Sequence, residues 1–183
     1  MKKQKFDAIV VGSGISGGWA AKELCEKGLR TLVLERGRPL EHISGYTTAM
    51  TNPWEFPHRN QVPHAEVKND YPIQSICYAF NEGTKHLWAK DSAHPYNQVK
   101  PFEWIKGYHV GGKSLMWARQ TYRWSDFDFE SNRQDGHGVD WPIRYEDIAP
   151  WYSYVEKFAG ISGNRDGLRQ IPDGEFLPPI EMT

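Results

Sequence analysis

Apolar and polar positions in the first 37 residues follow the order of a strand–helix–strand unit. Phe6 to Val11 is a short apolar, β-branched run, which predicts a buried parallel strand. Ile15 to about Lys27 predicts a helix that ends at Gly28 in a left-handed cap. The run "RTLVLE" predicts a second buried strand ending on Glu35. The pattern therefore predicts an α/β fold with a complete, Rossmann-like βαβ unit at its start.

The regular pattern is lost after residue 37. From Arg38 to about Lys106 the chain is irregular and rich in Pro, His, Asn and aromatic residues, with brief strand-like pieces such as "QSICYAF". Long loops of this kind are usually functional or disordered, and the aromatic content here favours burial. We expect this long irregular insertion, residues 38–106, to form a lid, a substrate wall or a contact surface for a second subunit, and the pattern does not choose among them.

A helical pattern returns near the end of the chain. The stretch "WPIRYEDIAPWYSYVEKFAGISG" predicts a turn and then a helix from near Pro150 to Gly160. Four apolar residues at helical spacing on one face are predicted to pack in the core rather than on a cofactor: Trp151, Tyr154, Val155 and Phe158.

The acidic stretch "WSDFDFE" predicts an edge strand or a turn, in which Asp126 and Asp128 are solvated acids rather than a catalytic pair.

Composition narrows the possible partners and location. The chain has 183 residues, enough for one ordinary domain or one and a fraction, and its formal net charge of −1 argues against nucleic acid or an anionic membrane as partner. Two cysteines make no disulfide framework, the N-terminus is not a secretory signal, and no apolar run approaches membrane-spanning length. We expect a cytoplasmic protein without a membrane span, with export carried by a folded partner as the alternative.

Histidine is frequent but is not patterned for a metal. None of the seven histidines makes a close i, i+4 pair or joins a Cys/His cluster, so no metal site is predicted. The residues are His42, His58, His64, His86, His94, His109 and His137.

The turn after the first predicted strand carries glycines at GxGxxG spacing. Gly12 permits the tight turn, Gly14 lets the backbone approach a pyrophosphate, and Gly17 lets the helix and strand pack closely. The helix N-terminus, where Ser16 lies, offers amides and a partial positive charge to the phosphates. The strand, the helix and the terminal acid occur in register around this turn, which predicts dinucleotide binding.

The acid at the end of the second strand bears on which dinucleotide binds. Glu35 lies 18 residues after Gly17 and is placed to accept hydrogen bonds from a ribose diol. An acid there disfavours a 2′-phosphate, although Arg36 weakens that exclusion and is itself placed near the adenosine ribose. A nicotinamide-binding domain would continue with more strand–helix units, whereas this chain enters the insertion. FAD is therefore the predicted cofactor, and an NAD-dependent dehydrogenase is the alternative.

Four stretches taken together resemble the start of a glucose–methanol–choline (GMC) oxidoreductase: "DAIVVGSGISGGWAAKEL", "VLERG", "VGGKSLMWARQTYRW" and "WPIRYEDIAPWYSYVEKFAGISG". The likeness is nearest to pyranose oxidases and the large subunits of sugar and sugar-acid dehydrogenases. It covers about the first 37 residues and residues 107–163. The resemblance implies an FAD-binding domain made of residues 1–37 and 107–183, with 38–106 as an excursion from it.

The resemblance also implies roles for the second glycine pair. Gly111 and Gly112 would let the backbone run against the flavin, Ser114 would bond its polar edge, and Trp117 would pack behind. A plain tight turn between two packed segments is the alternative.

One position departs from some relatives. In them, the residue two after the serine is a histidine that is bonded covalently to the flavin, whereas here it is Met116. A thioether lacks a comparable nucleophilic nitrogen, so we expect bound but non-covalent FAD. His109 lies at a different position and is not assigned as a linkage site.

The resemblance implies that the family's catalytic histidine, with its His or Asn partner, and most of its substrate domain would lie beyond residue 183. No catalytic residue is therefore assigned, and the fold is expected to be incomplete. The implied reaction is oxidation of a CH–OH group of a sugar, sugar acid or polyol by hydride transfer to FAD. The expected partners are a small-molecule alcohol or sugar and an electron-acceptor subunit. A nucleotide-binding remnant without catalysis is the other alternative.

Overall fold

The computed structural model describes residues 4–180 and divides the chain into two compact units. The first unit runs to Ala118 and the second begins at Arg119. This boundary falls inside the segment 107–183 that the resemblance assigns to one FAD-binding domain, and that assignment stays a prediction.

The first unit opens with the expected βαβ arrangement. Strand β1 (Ala8–Val11) is followed by helix α1 (Ile15–Glu26) and strand β2 (Thr31–Leu34). The two strands pair in parallel, with Val10 opposite Val33. Gly28 ends the helical segment in the left-handed region, at φ 81°. The predicted order of elements and the predicted cap are confirmed.

The predicted burial of the strands is wrong for one face of the sheet. Val10 is 9% exposed, whereas its neighbours Ile9 and Val11 are 62% and 82% exposed. Successive side chains of a strand point to opposite faces, and only the Val10 face is covered. The sheet has two strands among the described residues, and no second layer covers the Ile9 face there.

Residues 38–106 form helix α2 (His64–Asp70) and a series of short 3₁₀ segments. These segments are Pro53–Glu55, Pro57–Asn60, Gln74–Ile76 and Lys85–Leu87. The strand-like interpretation of "QSICYAF" is wrong, because its first residues form the 3₁₀ segment at 74–76.

A buried polar network takes the place of that strand. The fully buried Gln74 amide nitrogen Nε2 donates to Asp91 Oδ1 at 2.7 Å and to the Trp104 carbonyl at 3.0 Å. Its Oε1 accepts the Lys106 amide at 2.7 Å, and Asp91 also accepts the Gln74 amide. Buried polar groups of this kind are stable only when paired. The network therefore holds Gln74 and Asp91 against Trp104 and Lys106, which form the end of the insertion and lead into the second glycine pair.

The second unit contains three helices: α3 (Asp126–Phe129), α4 (Ser131–Asp135) and α5 (Tyr145–Ala159). Helix α5 ends at Gly160 as predicted, with φ 68°, but it begins five residues before Pro150. Its start is capped by Asp147, whose Oδ2 accepts the Arg144 amide at 2.7 Å. Pro150 therefore lies inside the helix, where it removes one backbone hydrogen bond.

The acids of "WSDFDFE" cap helices rather than lying in a strand. Asp128 Oδ2 accepts the Ser125 amide at 2.8 Å, and Asp126 Oδ1 accepts the Tyr145 amide at 2.8 Å. The stretch forms α3, so the edge-strand interpretation is wrong.

The predicted core face of α5 is also wrong. Trp151 and Phe158 are 64% and 62% exposed, and the buried residue of the helix is Glu156. Arg123 donates to both Glu156 oxygens, at 2.8 Å from Nε and 2.6 Å from Nη2. Burial raises the pKa of Glu156, but the bonds from Arg123 and from the Glu175 amide outweigh it and leave that pKa lowered. This unit is built around an ion pair, which periodicity does not reveal.

Candidate functional site

The first glycine turn joins β1 to α1 and lies at the carboxyl end of the two strands. Gly12 has φ 90°, and its amide donates to the Leu34 carbonyl of β2 at 2.7 Å. Gly14 is the N-cap of α1, and within residues 4–180 no side chain bonds to that cap. The first turn of α1 carries no acidic side chain. The amides and positive end of the helix dipole are thus left to an anion.

The space around Gly14 and Gly17 indicates that these two glycines have different roles. A Cβ added to Gly17 would fall inside the contact distance of the Gly12 carbonyl, 3.0 Å from its carbon. A Cβ added to Gly14 would meet nothing within 4 Å. The fold itself therefore requires glycine at 17, whereas at 14 the space is open for a ligand to approach the backbone. These features fit the pyrophosphate of a dinucleotide.

Glu35 follows β2 and its carboxylate is held at this turn. Oε2 accepts the Ser13 hydroxyl at 2.5 Å and the Ser13 amide at 2.7 Å, and Oε1 accepts the Gly37 amide at 2.6 Å. The Ser13 hydroxyl lowers the pKa of Glu35 most, followed by the Gly37 and Ser13 amides, and together they bring it from 4.5 to about 2. The group is ionised at neutral pH and is an acceptor only.

The second glycine segment returns to the first one. Arg38 and His109 form a parallel bridge, in which the Arg38 amide donates to Tyr108 at 3.2 Å and the Val110 amide donates to Arg38 at 3.0 Å. A Cβ added to Gly37 would lie 2.6 Å from the backbone Cα of His109, so this close pairing requires glycine.

Beyond this bridge the second glycine segment, Gly111 and Gly112, contacts the first glycine turn. The Gly111 amide donates to Ser13 Oγ at 2.9 Å. A Cβ added to Gly112 would lie 3.3 Å from Gly14 Cα, and both Gly111 and Gly112 have positive φ, at 95° and 57°. Segments 98 residues apart therefore form one surface.

A cavity of about 440 Å³ opens between the two segments. Five of the predicted cofactor residues line it: Gly12, Gly14, Glu35, Arg36 and Gly112. Six others are outside its lining: Ser16, Gly17, Gly111, Ser114, Met116 and Trp117. The assignment of all eleven as FAD-binding residues stays a prediction.

The residues outside the lining hold the turn together or lie at its edge. Ser114 Oγ donates to the Gly111 carbonyl at 2.6 Å and so closes the turn. The Met116 sulfur packs against Gly107, where an added Cβ would collide with it. Trp117 is 41% exposed.

Sequence reasoning missed six lining residues: Val11, Ser13, Leu34, Gly107, Tyr108 and His109. The Arg36 guanidinium carbon Cζ lies 3.9 Å from the centre of the Tyr108 ring, which is a cation–π contact. Ser13 was detectable, because it lies inside the GxGxxG spacing and carries a hydroxyl. The positions of Tyr108 and His109 come from the backbone pairing with Arg38, which leaves no local sequence signal.

A second cavity, of about 550 Å³, shares Arg36, Tyr108 and His109 with the first. His109 is 3% exposed, and neither ring nitrogen has a partner among the described residues, although the ring lies near the His86 carbonyl. Burial lowers the pKa of His109, and the Arg38 charge lowers it further, which favours the neutral ring.

Residues 4–180 contain no group of three or more His, Cys, Asp or Glu side chains placed to hold a metal ion. Over the same span, every helix is too short or too polar to cross a bilayer.

Comparison with known proteins identifies the family. Residues 7–147 match the family described as FAD dependent oxidoreductase. Fructose dehydrogenase large subunit of Gluconobacter japonicus is 27% identical over 179 residues, covering 94% of this chain and 29% of that protein. Gluconate 2-dehydrogenase flavoprotein of Pantoea cypripedii is 28% identical over 185 residues, covering 88% of this chain and 26% of that protein. Protein FixC of Rhizobium meliloti (strain 1021) is 60% identical over 193 residues, covering 94% of this chain and 41% of that protein.

The chain spans between about a quarter and two-fifths of the length of these relatives. The family match covers most of the chain and includes both glycine segments. It decides the cofactor in favour of FAD over a nicotinamide dinucleotide and implies a Rossmann-like α/β fold, in agreement with the βαβ unit. This chain belongs to the FAD dependent oxidoreductase family.

Proposed function

We propose that the chain is the FAD-binding, N-terminal part of a GMC-type oxidoreductase that oxidises a CH–OH group of a sugar, sugar acid or polyol. The meeting of the two glycine segments carries the proposal. The bond from the Gly111 amide to Ser13 and the close approach of Gly112 to Gly14 bring the second segment onto the phosphate turn. A plain connecting turn has no need of this contact, whereas a long cofactor that lies across both segments does.

Different residues are proposed to bind different parts of the cofactor. Gly12, Gly14, Ser16 and the start of α1 hold the pyrophosphate, and Gly17 allows the helix to pack there. Glu35 accepts hydrogen bonds from the adenosine ribose, since its ionised carboxylate is an acceptor that lines the cavity.

The second segment is proposed to serve the flavin end. The left-handed Gly111 and Gly112 let the backbone approach closely, Ser114 fixes that turn, and Trp117 packs behind it. Bound FAD supplies the acceptor for a hydride. The chain's own contribution is to bind and orient FAD, and the proton-accepting group is expected beyond residue 183.

FAD is proposed to be held without a covalent bond. The position that would carry the linkage is Met116, and its thioether sulfur packs against Gly107. Alkylation of a thioether would leave a sulfonium cation with no proton to lose, whereas an alkylated imidazole becomes neutral by losing its N–H proton.

The whole protein is proposed to have more sheet and a partner. The exposed Ile9 and Val11 face of the sheet supports further layers from a longer chain, because apolar strand faces are stable when covered. Two relatives carry the names "large subunit" and "flavoprotein", which supports an electron-acceptor subunit as partner. Segment 38–106 is proposed to contact that subunit or the substrate, and the cytoplasmic location stays part of the proposal.

The test is anaerobic reduction of the flavin in the full-length protein. Fructose, gluconate and a simple diol would be added in turn, and the loss of oxidised-flavin absorbance would be followed. We expect bleaching by at least one hydroxyl compound and none by its O-methylated analogue, which lacks the reacting hydroxyl. Bleaching by NADH alone would contradict the proposal, and bound FAD that no alcohol reduces would favour the non-catalytic remnant.

A further inference from the structure

The side chain of Ser13 connects three parts of the cofactor cleft. Its hydroxyl donates to Glu35 Oε2 at 2.5 Å and accepts the Gly111 amide at 2.9 Å. A serine hydroxyl has one donor and two acceptor positions, so one side chain makes both bonds at once. The first glycine turn, the end of β2 and the second glycine segment are thereby joined at a single oxygen.

The first consequence concerns the geometry of Glu35. Oε2 accepts both the hydroxyl and the amide of Ser13, which uses its two acceptor positions, while Oε1 accepts the Gly37 amide. The carboxylate is thus fixed in one orientation before a ribose arrives. Such preorganisation strengthens binding because less side-chain freedom is lost on association.

The second consequence concerns the second glycine segment. Gly111 is 98 residues from Ser13 along the chain, and bringing such distant segments together has an entropic cost. The Gly111 amide donates its hydrogen bond to Ser13 next to the place where Gly112 lies against Gly14. Ser13 therefore secures the contact on which a ligand spanning both segments depends.

We propose that Ser13 is a positioning residue for the cofactor, whose hydroxyl holds the ribose-binding carboxylate and the second glycine segment in their FAD-binding arrangement together. The inference rests on FAD as cofactor, which the family gives, and not on the substrate. Failure of the alcohol-oxidation assay would therefore leave it standing.

The experiment compares FAD affinity and amide exchange in matched variants. Ser13→Ala removes the hydroxyl, and Ser13→Thr keeps it. Ser44→Ala is the control, since Ser44 Oγ donates to Glu41 Oε2 at 2.9 Å on the exposed surface of the same unit. Apo-protein would be titrated with FAD by flavin fluorescence, and exchange of the Gly111 amide would be followed by NMR without FAD.

We expect Ser13→Ala to weaken FAD binding about tenfold and to speed Gly111 exchange by a similar factor, because hydrogen bonds to charged groups are among the stronger ones. Ser13→Thr should restore both, and Ser44→Ala should match the wild type. A purely structural role would lower the melting temperature of the apo-protein without this paired response.

Three results would overturn the proposal. They are wild-type FAD affinity in Ser13→Ala, unchanged Gly111 exchange in that variant, and loss of affinity in a folded Ser13→Thr protein. If Ser13→Ala does not fold, Ser13→Thr decides alone: retained affinity supports the role of the hydroxyl, and lost affinity refutes it.

Discussion

Alanine substitutions at three glycines of one turn should have three different effects. Gly14, Gly17 and Gly18 lie within five residues, and each substitution adds a single methyl group. At Gly17 the added Cβ lies 3.0 Å from the Gly12 carbonyl carbon and closer still to its oxygen. At Gly18 the nearest neighbour would be the Ser13 carbonyl oxygen at 3.9 Å, and at Gly14 nothing lies within 4 Å.

The magnitudes follow from those distances. The Gly17 methyl collides with backbone, which cannot rotate away, so Gly17→Ala should lower the free energy of unfolding by about 2–3 kcal/mol and the melting temperature by roughly 4–12 °C. Gly18→Ala fits inside a helix and should raise the free energy of unfolding by about 0.5–1 kcal/mol. Gly14→Ala should cost at most about 1 kcal/mol, as alanine is a poor N-cap.

The three substitutions should rank differently in their effect on FAD affinity than in their effect on stability. Gly14→Ala should weaken FAD binding by about tenfold to a hundredfold, because its methyl group occupies the open space that the pyrophosphate approaches. Gly18→Ala should bind FAD as the wild type does. Urea unfolding measures stability, and fluorescence titration of the apo-protein measures affinity. A Gly17→Ala protein as stable as the wild type, or unchanged FAD affinity in Gly14→Ala, would refute the reasoning.

Three further predictions concern other contacts. Gly37→Ala should weaken FAD binding about tenfold, because its methyl would press on the backbone of His109 and part the bridge at the second glycine segment; affinity equal to wild type in a titration would contradict this. Arg123→Met should lower the free energy of urea unfolding by about 3–5 kcal/mol, since it leaves the Glu156 carboxylate buried and unpaired, and a loss under 1 kcal/mol would argue against the ion pair as the centre of that unit. The lowered pKa of Glu35 makes a stabilising contribution that is present above pH 4.5 and is lost as the pH falls toward about 2, so carbon-13 NMR of its carboxyl should show a midpoint near 2 and not near 4.5.

The predictable parts of the fold are those encoded by neighbouring residues. The βαβ unit, the cap at Gly28 and the end of α5 at Gly160 follow from local periodicity and from glycine's tolerance of positive φ. The start of α5 was missed because the capping pair of Arg144 and Asp147 outweighs the preference of proline for a first helical turn. The end of a helix can therefore be predicted from local sequence where a single residue, such as a glycine, determines it.

Contacts between distant segments were beyond local reasoning. The burial of Gln74 and the ion pair between Arg123 and Glu156 depend on partners more than 15 residues away, and periodicity treats these polar residues as surface. At the site, the spacing of glycines predicted the tight turn at Gly12, and phosphate binding at that turn stays a prediction. The bond from Gly111 to the Ser13 hydroxyl depends on a contact across 98 residues, so the structure was needed to find it.

The most direct measurement of the central claim is the fate of the flavin when the purified protein is denatured. The protein would be precipitated with acid, and the supernatant and the pellet would be assayed separately for flavin by absorbance and chromatography. We expect about one FAD per chain, all of it in the supernatant, because the family is FAD-dependent and the thioether of Met116 is not expected to form a covalent link. A colourless protein without FAD, or flavin that stays in the pellet, would contradict it.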